Sequence, residues 1–189
     1  MDVNLKEALE NKGLTEPELS RILEKFKVAY FDKGQSLVRP SEETVPAAFV
    51  EYGTFVESVT NSGGREFIHS FYGPGEFMSC MFRWGRKAHS SIVCLTKACV
   101  LLYAGRPEDF SAVLSANADP AVSSGIDSSV DACLRDVNAR LEEFATLDAA
   151  ERYRIFLDKY AGLENDIPLH MAASYIGVTP TQLSRIRKK

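Results

Sequence analysis

Between Val28 and Tyr103 the chain is cut into short β-forming runs by glycine turns, and this spacing limits the fold more than any other feature. The runs are Val28–Phe31, Phe49–Tyr52, Phe55–Val59, Phe67–Tyr72, Ile92–Leu95 and Val100–Tyr103. Each is rich in β-branched and aromatic residues. Turn residues separate them at Gly34, Gly53, Asn61–Gly64 and Gly73–Gly75. Asn61-Ser62-Gly63-Gly64 between two such runs reads as a hairpin tip. Many short strands at this spacing predict an antiparallel barrel or jelly roll.

Helical patterns flank the strands. Before them, a stretch to about Phe26 carries a capping box at Thr15–Glu18, and Leu19, Ile22, Leu23 and Phe26 recur at helical spacing. After them, Arg106–Asn117 reads as a helix with Phe110, Val113 and Leu114 on one face. Asp119 can then cap a longer one. Its stripe is Ile126, Val130, Cys133, Val137, Leu141 and Phe144, at coiled-coil spacing. About 26 residues at ~1.5 Å each give a rod of roughly 39 Å. The stripe is narrow and the flanking residues (Asp131, Arg135, Asp136, Arg140, Glu143) are charged. Self-pairing of this helix is therefore expected, in preference to a helix lying along the barrel. A further helix, Ala149–Tyr160, carries Tyr153, Phe156, Leu157 and Tyr160 on one side.

The last stretch, Ile167–Lys189, has the pattern of a helix-turn-helix. Ala173 is small where two helices must cross. Gly177 supplies a left-handed turn, and Val178 is an apolar plug. Thr179, Pro180 and Gln182 open a second helix with a capping box and a proline where no N–H is needed. Leu183 and Ile186 face the first helix, leaving Ser184, Arg185, Lys188 and Lys189 on the other side. Capping, glycine position and basic outer face agree on a DNA-reading element rather than an ordinary helical hairpin.

Charge is distributed to match. The formal net charge is −4. From Glu151 to Lys189, however, seven Lys/Arg stand against four Asp/Glu. Cationic character is concentrated at the expected reading end, and the acidic remainder can be a body held away from phosphate. No apolar run approaches the ~20 residues of a membrane span. The polar, acidic start has no apolar signal core, so the expected compartment is the cytoplasm. Cys80, Cys94, Cys99 and Cys133 form no CxxC pair and sit among apolar residues, which favours buried reduced thiols.

An enzyme is not expected. There is no nucleophile elbow, Walker loop or dinucleotide fingerprint. A metal-binding barrel needs clustered ligands, but only His69, His89 and His170 exist, and His170 lies in the terminal helix pair. No metal or other cofactor is called for.

The order of parts resembles the Crp–Fnr transcription regulators, the group of the cyclic-AMP receptor protein, over nearly the whole chain. The resemblance rests on FVEYGTF and the glycine turns, GPGEF at Gly73–Phe77, HSSIVCLTKACVLLY, AAERYRIFLDKY and the terminal SYIGVTPTQLSRIRKK. It implies an α+β fold: a cyclic-nucleotide-binding-like β-roll over 1–118, a dimerisation helix over 119–146 and a helix-turn-helix domain over 147–189. It also implies a homodimer bound to a two-fold site in double-stranded DNA, with half-sites about 34 Å apart, and contact with RNA polymerase. Pro180, Thr181 and Arg185 fall where the family faces base edges, and Arg185 suits a bidentate contact to guanine. Thr179, Gln182 and Ser184 are candidates for phosphate contact; Arg187, Lys188 and Lys189 add attraction without sequence information. The chain stops at Lys189 and little separates Tyr160 from Pro168, so the family's wing is not expected.

The resemblance also implies a ligand pocket at Gly75, Glu76, His89 and Ser90. The family's Gly-Glu pair is matched by Gly75 and Glu76, and its serine by Ser90. His89 stands where the family has a phosphate-binding arginine, and an imidazole lacks the permanently charged fork. Arg83, Arg86 and Lys87 are near in sequence but differently spaced. The effector, if there is one, is thus expected to be a small molecule other than cyclic AMP. The alternative reading is a ligand-binding or interaction module with the same roll that has lost specific DNA binding.

Overall fold

The computed structural model describes residues 5–10, 14–43, 47–64, 66–78, 87–106 and 125–188, and of residues 125–134 the backbone alone. The expected opening stretch is two short helices, α1 (Leu5–Glu10) and α2 (Glu16–Leu23). The Glu18 carboxylate accepts hydrogen bonds from the Thr15 amide at 2.9 Å and the Thr15 hydroxyl at 2.6 Å, closing the capping box. Phe26 does not continue α2. It pairs with Tyr103 in a sheet, their rings edge-on at 5.3 Å, so a tertiary contact overrides the helical spacing.

Seven strands follow among the described residues: β1 (Phe26–Phe31), β2 (Ser36–Val38), β3 (Ala48–Tyr52), β4 (Phe55–Thr60), β5 (Glu66–Tyr72), β6 (Ser91–Cys94) and β7 (Ala98–Tyr103). β2 is the one that the run pattern does not predict; three residues are too few to show alternation. The helices α3 (Gly125–Thr146), α4 (Ala149–Lys159), α5 (Leu169–Ile176) and α6 (Pro180–Ile186) complete the order. The expected helix Arg106–Asn117 beyond its first residue and its successor's cap Asp119 lie outside the described residues, as do Cys80, Arg83, Arg86 and Lys189 and the side chains of Ile126, Val130 and Cys133.

The strands form two antiparallel sheets, β1-β7-β3 and β2-β6-β4-β5. Gly53 turns β3 into β4 at φ 96°, and a Cβ there would lie 2.4 Å from Ala98 Cβ. The hairpin tip between β4 and β5 is tied by Asn61, whose side chain accepts from the Gly63 amide at 3.0 Å.

Alternation along the strands creates three apolar cores. Inward residues such as Val38, Val50, Phe55, Tyr72, Ile92 and Val100 fill the roll. Leu5, Leu9, Leu19 and Ile22 of the opening helices cover Phe49 and Tyr103 on the outer face of the three-stranded sheet. The third core joins Val56, Ile68 and Phe71, on the outer face of the four-stranded sheet, to Phe156, Tyr160, Ala173, Tyr175, Ile176 and Leu183 of the C-terminal helices. The roll and the C-terminal helices therefore share a core.

Candidate nucleic-acid interface

The turn between α5 and α6 is built locally. Gly177 takes φ 75°, ψ 36°. Its amide donates to Ser174 O at 3.2 Å, and the Val178 amide donates to Ala173 O at 2.9 Å. This pairing is a Schellman motif, and it satisfies two end carbonyls of α5. Thr179 then caps α6. Its hydroxyl accepts from the Gln182 amide at 3.2 Å, while Gln182 Oε1 accepts from the Thr179 amide at 2.9 Å and the Thr179 hydroxyl at 3.0 Å. Leu183 is fully buried against the Ala173 side of α5.

What α6 leaves outside is polar and basic. Thr179, Pro180, Thr181, Gln182, Arg185, Arg187 and Lys188 are exposed, and Ser184 is half-buried. Thr181, Arg185 and Lys188 are free to meet a ligand with their whole side chains. Thr179 and Gln182 are not, because the cap holds the hydroxyl and the amide oxygen and leaves Gln182 its NH₂ group.

Three contacts from outside the pair hold this turn. Arg140, on α3, donates to Tyr175 O at 2.9 Å, and also to Ile68 O at 2.9 Å and His69 O at 2.8 Å on β5. Its guanidinium lies 4.0 Å from the Tyr175 ring centre and 4.8 Å from that of Phe67. Burial lowers its pKa, while the tyrosines Tyr175 and Tyr160 and the acids Asp136 and Glu143 act the other way. An arginine stays charged in such a site. Arg152, on α4, donates to Ile176 O at 3.0 Å and to Leu147 O at 2.5 Å. Phe144 places its ring over Gly177, where a Cβ would come within 2.4 Å of it. The C-terminal carbonyls of α5, the negative end of its dipole, are thus capped by two cations from other helices.

An aromatic cluster docks α4 and α5 on the roll. Phe71 of β5 meets Tyr160 at 5.2 Å, Tyr175 at 5.9 Å and Phe156 at 6.0 Å between ring centres. Such pairs add about 0.5–1.5 kcal/mol each beyond area burial. The Thr54 hydroxyl donates to Asp166 at 2.7 Å, and Lys159 joins α4 to Asp136 on α3. Burial pushes the Tyr160 hydroxyl pKa well up, so it remains protonated.

Three residues of the predicted seam on α3 have described side chains. Leu141 is 62% exposed, and Val137 and Phe144 are each 39% exposed. Phe144 divides its surface between the seam side and Gly177.

The four predicted pocket residues each have their own surroundings. Gly75 donates its amide to Val50 O at 2.8 Å. Glu76 accepts from the Gly73 amide at 2.6 Å, and burial raises its carboxyl pKa. His89 is exposed. Ser90 is buried, and its hydroxyl donates to Glu57 Oε1 at 2.6 Å. Glu57, 3% exposed, also accepts from the Tyr72 hydroxyl at 2.7 Å, and His69 Nδ1 lies 3.7 Å from it. The serine that resembles an anion contact is therefore occupied by a buried carboxylate. Sequence reading missed Glu57; its signal was a lone acid at an inward position of an apolar run. It also missed Arg140, which it placed on a charged outer face. Cys94 and Cys99 are buried free thiols, with pKa values raised by burial. No group of three or more metal-binding side chains occurs among the described residues.

No protein-family profile matches the chain, and no curated protein matches it in sequence. Solved structures do match it. FixK2 from Bradyrhizobium japonicum superposes with a TM-score of 0.68 at 17% identity, over 86% of this chain and 83% of that one. The c-di-GMP-responsive global regulator CLP of Xanthomonas campestris gives 0.65 at 16%, over 92% and 90%. CooA from Carboxydothermus hydrogenoformans gives 0.66 at 17%, over 100% and 84%. In architecture, from the antiparallel roll through the long helix to the terminal helix pair, this chain has the fold of the Crp–Fnr regulators.

Proposed function

We propose that the chain is a DNA-binding transcription regulator that reads a two-fold site as a homodimer. The observation that carries this is α6: a capped helix with Thr181, Arg185 and Lys188 exposed on one side and Leu183 buried on the other. Its outer face suits a major groove, with Arg185 one helical turn beyond Thr181. Exposed Val137 and Leu141 on α3 support pairing with a second copy, because two-fold DNA sites mirror two-fold proteins. Contact with RNA polymerase and a cytoplasmic location go with this reading. Among the described residues no helix is long and apolar enough to cross a membrane.

The effector is not a cyclic nucleotide in this reading. A phosphate brought to Ser90 would meet the Glu57 carboxylate, and like charges at short range in a buried site repel strongly. Millimolar cyclic AMP or cyclic GMP should leave the melting temperature unchanged; a rise of several degrees would contradict this.

Selection of bound sequences from random DNA tests the regulator reading. A pseudo-palindromic site with half-sites about 34 Å apart is expected, with affinity falling steeply as salt rises. Binding with no sequence preference would leave the interaction-module reading in its place.

A further inference from the structure

Arg140 touches three parts of the molecule at once. It projects from the long helix α3, and its two terminal nitrogens donate to the carbonyls of Ile68 and His69 on β5 and of Tyr175 on α5. The planar fork is boxed by Tyr175 and Phe67, with Phe144 beyond at 5.8 Å. These carbonyls answer to different constraints. Tyr175 O lies in the last turn of α5 and needs a donor from outside its helix. Ile68 O and His69 O lie at the bulge of β5, which among the described residues pairs with β4 alone and is an edge of its sheet. One side chain therefore satisfies an open strand edge and an open helix end, and it is anchored on the helix that carries the exposed Val137 and Leu141. Two further hydrogen bonds from the roll to the C-terminal region, Thr54 to Asp166 and Ser174 to Glu66 O, do not involve α3.

We propose that Arg140 is a positioning residue, which locks the reading helix at one orientation to the long helix and so sets the half-site separation that a dimer accepts. The proposal rests on the homodimeric DNA-reading function above. Arg140 reads no base. Its effect is on the geometry between two heads, each of which keeps its own base preference. Arg152 supports the same turn from α4 and lies 5.0 Å from the Phe144 ring centre on α3, but its hydrogen bonds go to Ile176 O and Leu147 O, not to the strand edge that Arg140 ties to α5.

The test compares the wild type with R140Q and R140K, using the selected DNA site, the same site lengthened by one or two base pairs at its centre, and a single half-site. Each added base pair moves the half-sites about 3.4 Å apart and rotates them. Wild-type protein should lose on the order of 100-fold in affinity for the lengthened sites, since geometry then forbids simultaneous engagement. R140Q should lose less than about tenfold across the same series, while binding the single half-site as the wild type does. R140K restores one charged donor without the fork and should fall between. Equal spacer penalties for wild type and R140Q would overturn the proposal, as would an equal loss by R140Q on every DNA, which a purely structural role predicts. Hydrogen exchange of the α5 amides provides an arm without DNA. Faster exchange in R140Q supports the lock even if the wild type binds no DNA, in which case the regulator reading alone fails. Unchanged exchange overturns the lock.

Discussion

Replacing Gly177 by alanine tests the junction between the helix pair and the long helix. The backbone there sits at φ 75°, and alanine in the left-handed region costs roughly 1–2 kcal/mol. The new Cβ would also lie 2.4 Å from the Phe144 ring, so the ring must move. Phe144 is 39% exposed and has somewhere to go, which puts the overpacking near the low end of the usual range, about 1–2 kcal/mol. The two effects together predict about 2–4 kcal/mol of lost stability. For a chain of this length that is a fall of roughly 5–15 °C in melting temperature. Urea unfolding of G177A, F144A and the double variant separates the contributions. In the F144A background the ring is gone, and G177A should cost only the backbone part, about 1–2 kcal/mol. The coupling between the two sites is then about 1 kcal/mol or more, well above the ~0.3–0.5 kcal/mol scatter of independent sites. Additive costs would show that Phe144 does not rest on the turn and that the proposed orientation of α3 over the helix pair is wrong.

Three further outcomes are expected. R185A should cost about 1–3 kcal/mol on the selected site and relax one base position, whereas K188A should weaken all sequences alike and lower the salt slope by about one unit; equal behaviour of the two variants would contradict the division. V137D should weaken self-association by about 3–5 kcal/mol, because it buries an unpaired charge across the two-fold axis, and the variant should sediment as a monomer. Asp148 caps α4 by accepting from the Ala150 and Glu151 amides at 2.8 and 2.9 Å, and these bonds hold its pKa below the ordinary carboxylate value. Its contribution is therefore present above pH about 3.9 and lost as pH falls through the lower folded value. D148N keeps a cap of equal rank, so it should match the wild type at neutral pH and flatten the acid limb of the stability profile; an unchanged limb would refute the assignment.

Much of the architecture was legible because its causes are local. Thr15 with Glu18, Thr179 with Gln182 and Gly177 each depend on residues within a few positions. The strand runs were legible for a similar reason: inward and outward residues alternate along each strand, and glycines end them. β2 and Phe26 mark the limit. A three-residue strand shows no period, and Phe26 has helical spacing until the distant Tyr103 claims it.

The candidate site divides the same way. The exposed face of α6 follows from its own sequence, since burying Leu183 turns Thr181 and Arg185 outward. The fates of Ser90 and Arg140 do not. Ser90 resembles an anion contact, and only the pairing of β4 with β6 puts Glu57 beneath it. Arg140 reads as one more charge on a solvated helix, yet its partners lie 35 to 72 positions away.

By itself, then, the order of amino acids determined most of the strands, the caps, the left-handed turn and the cationic outer face of the last helix. Each is settled by interactions whose range is a turn or a pleat. Only tertiary packing decided that a carboxylate occupies the heart of the roll and that the terminal helices share a core with its outer sheet. The same packing left one guanidinium to satisfy carbonyls from two elements. Such contacts depend on where separate elements come to rest, and a buried polar atom takes whichever partner that arrangement brings within reach.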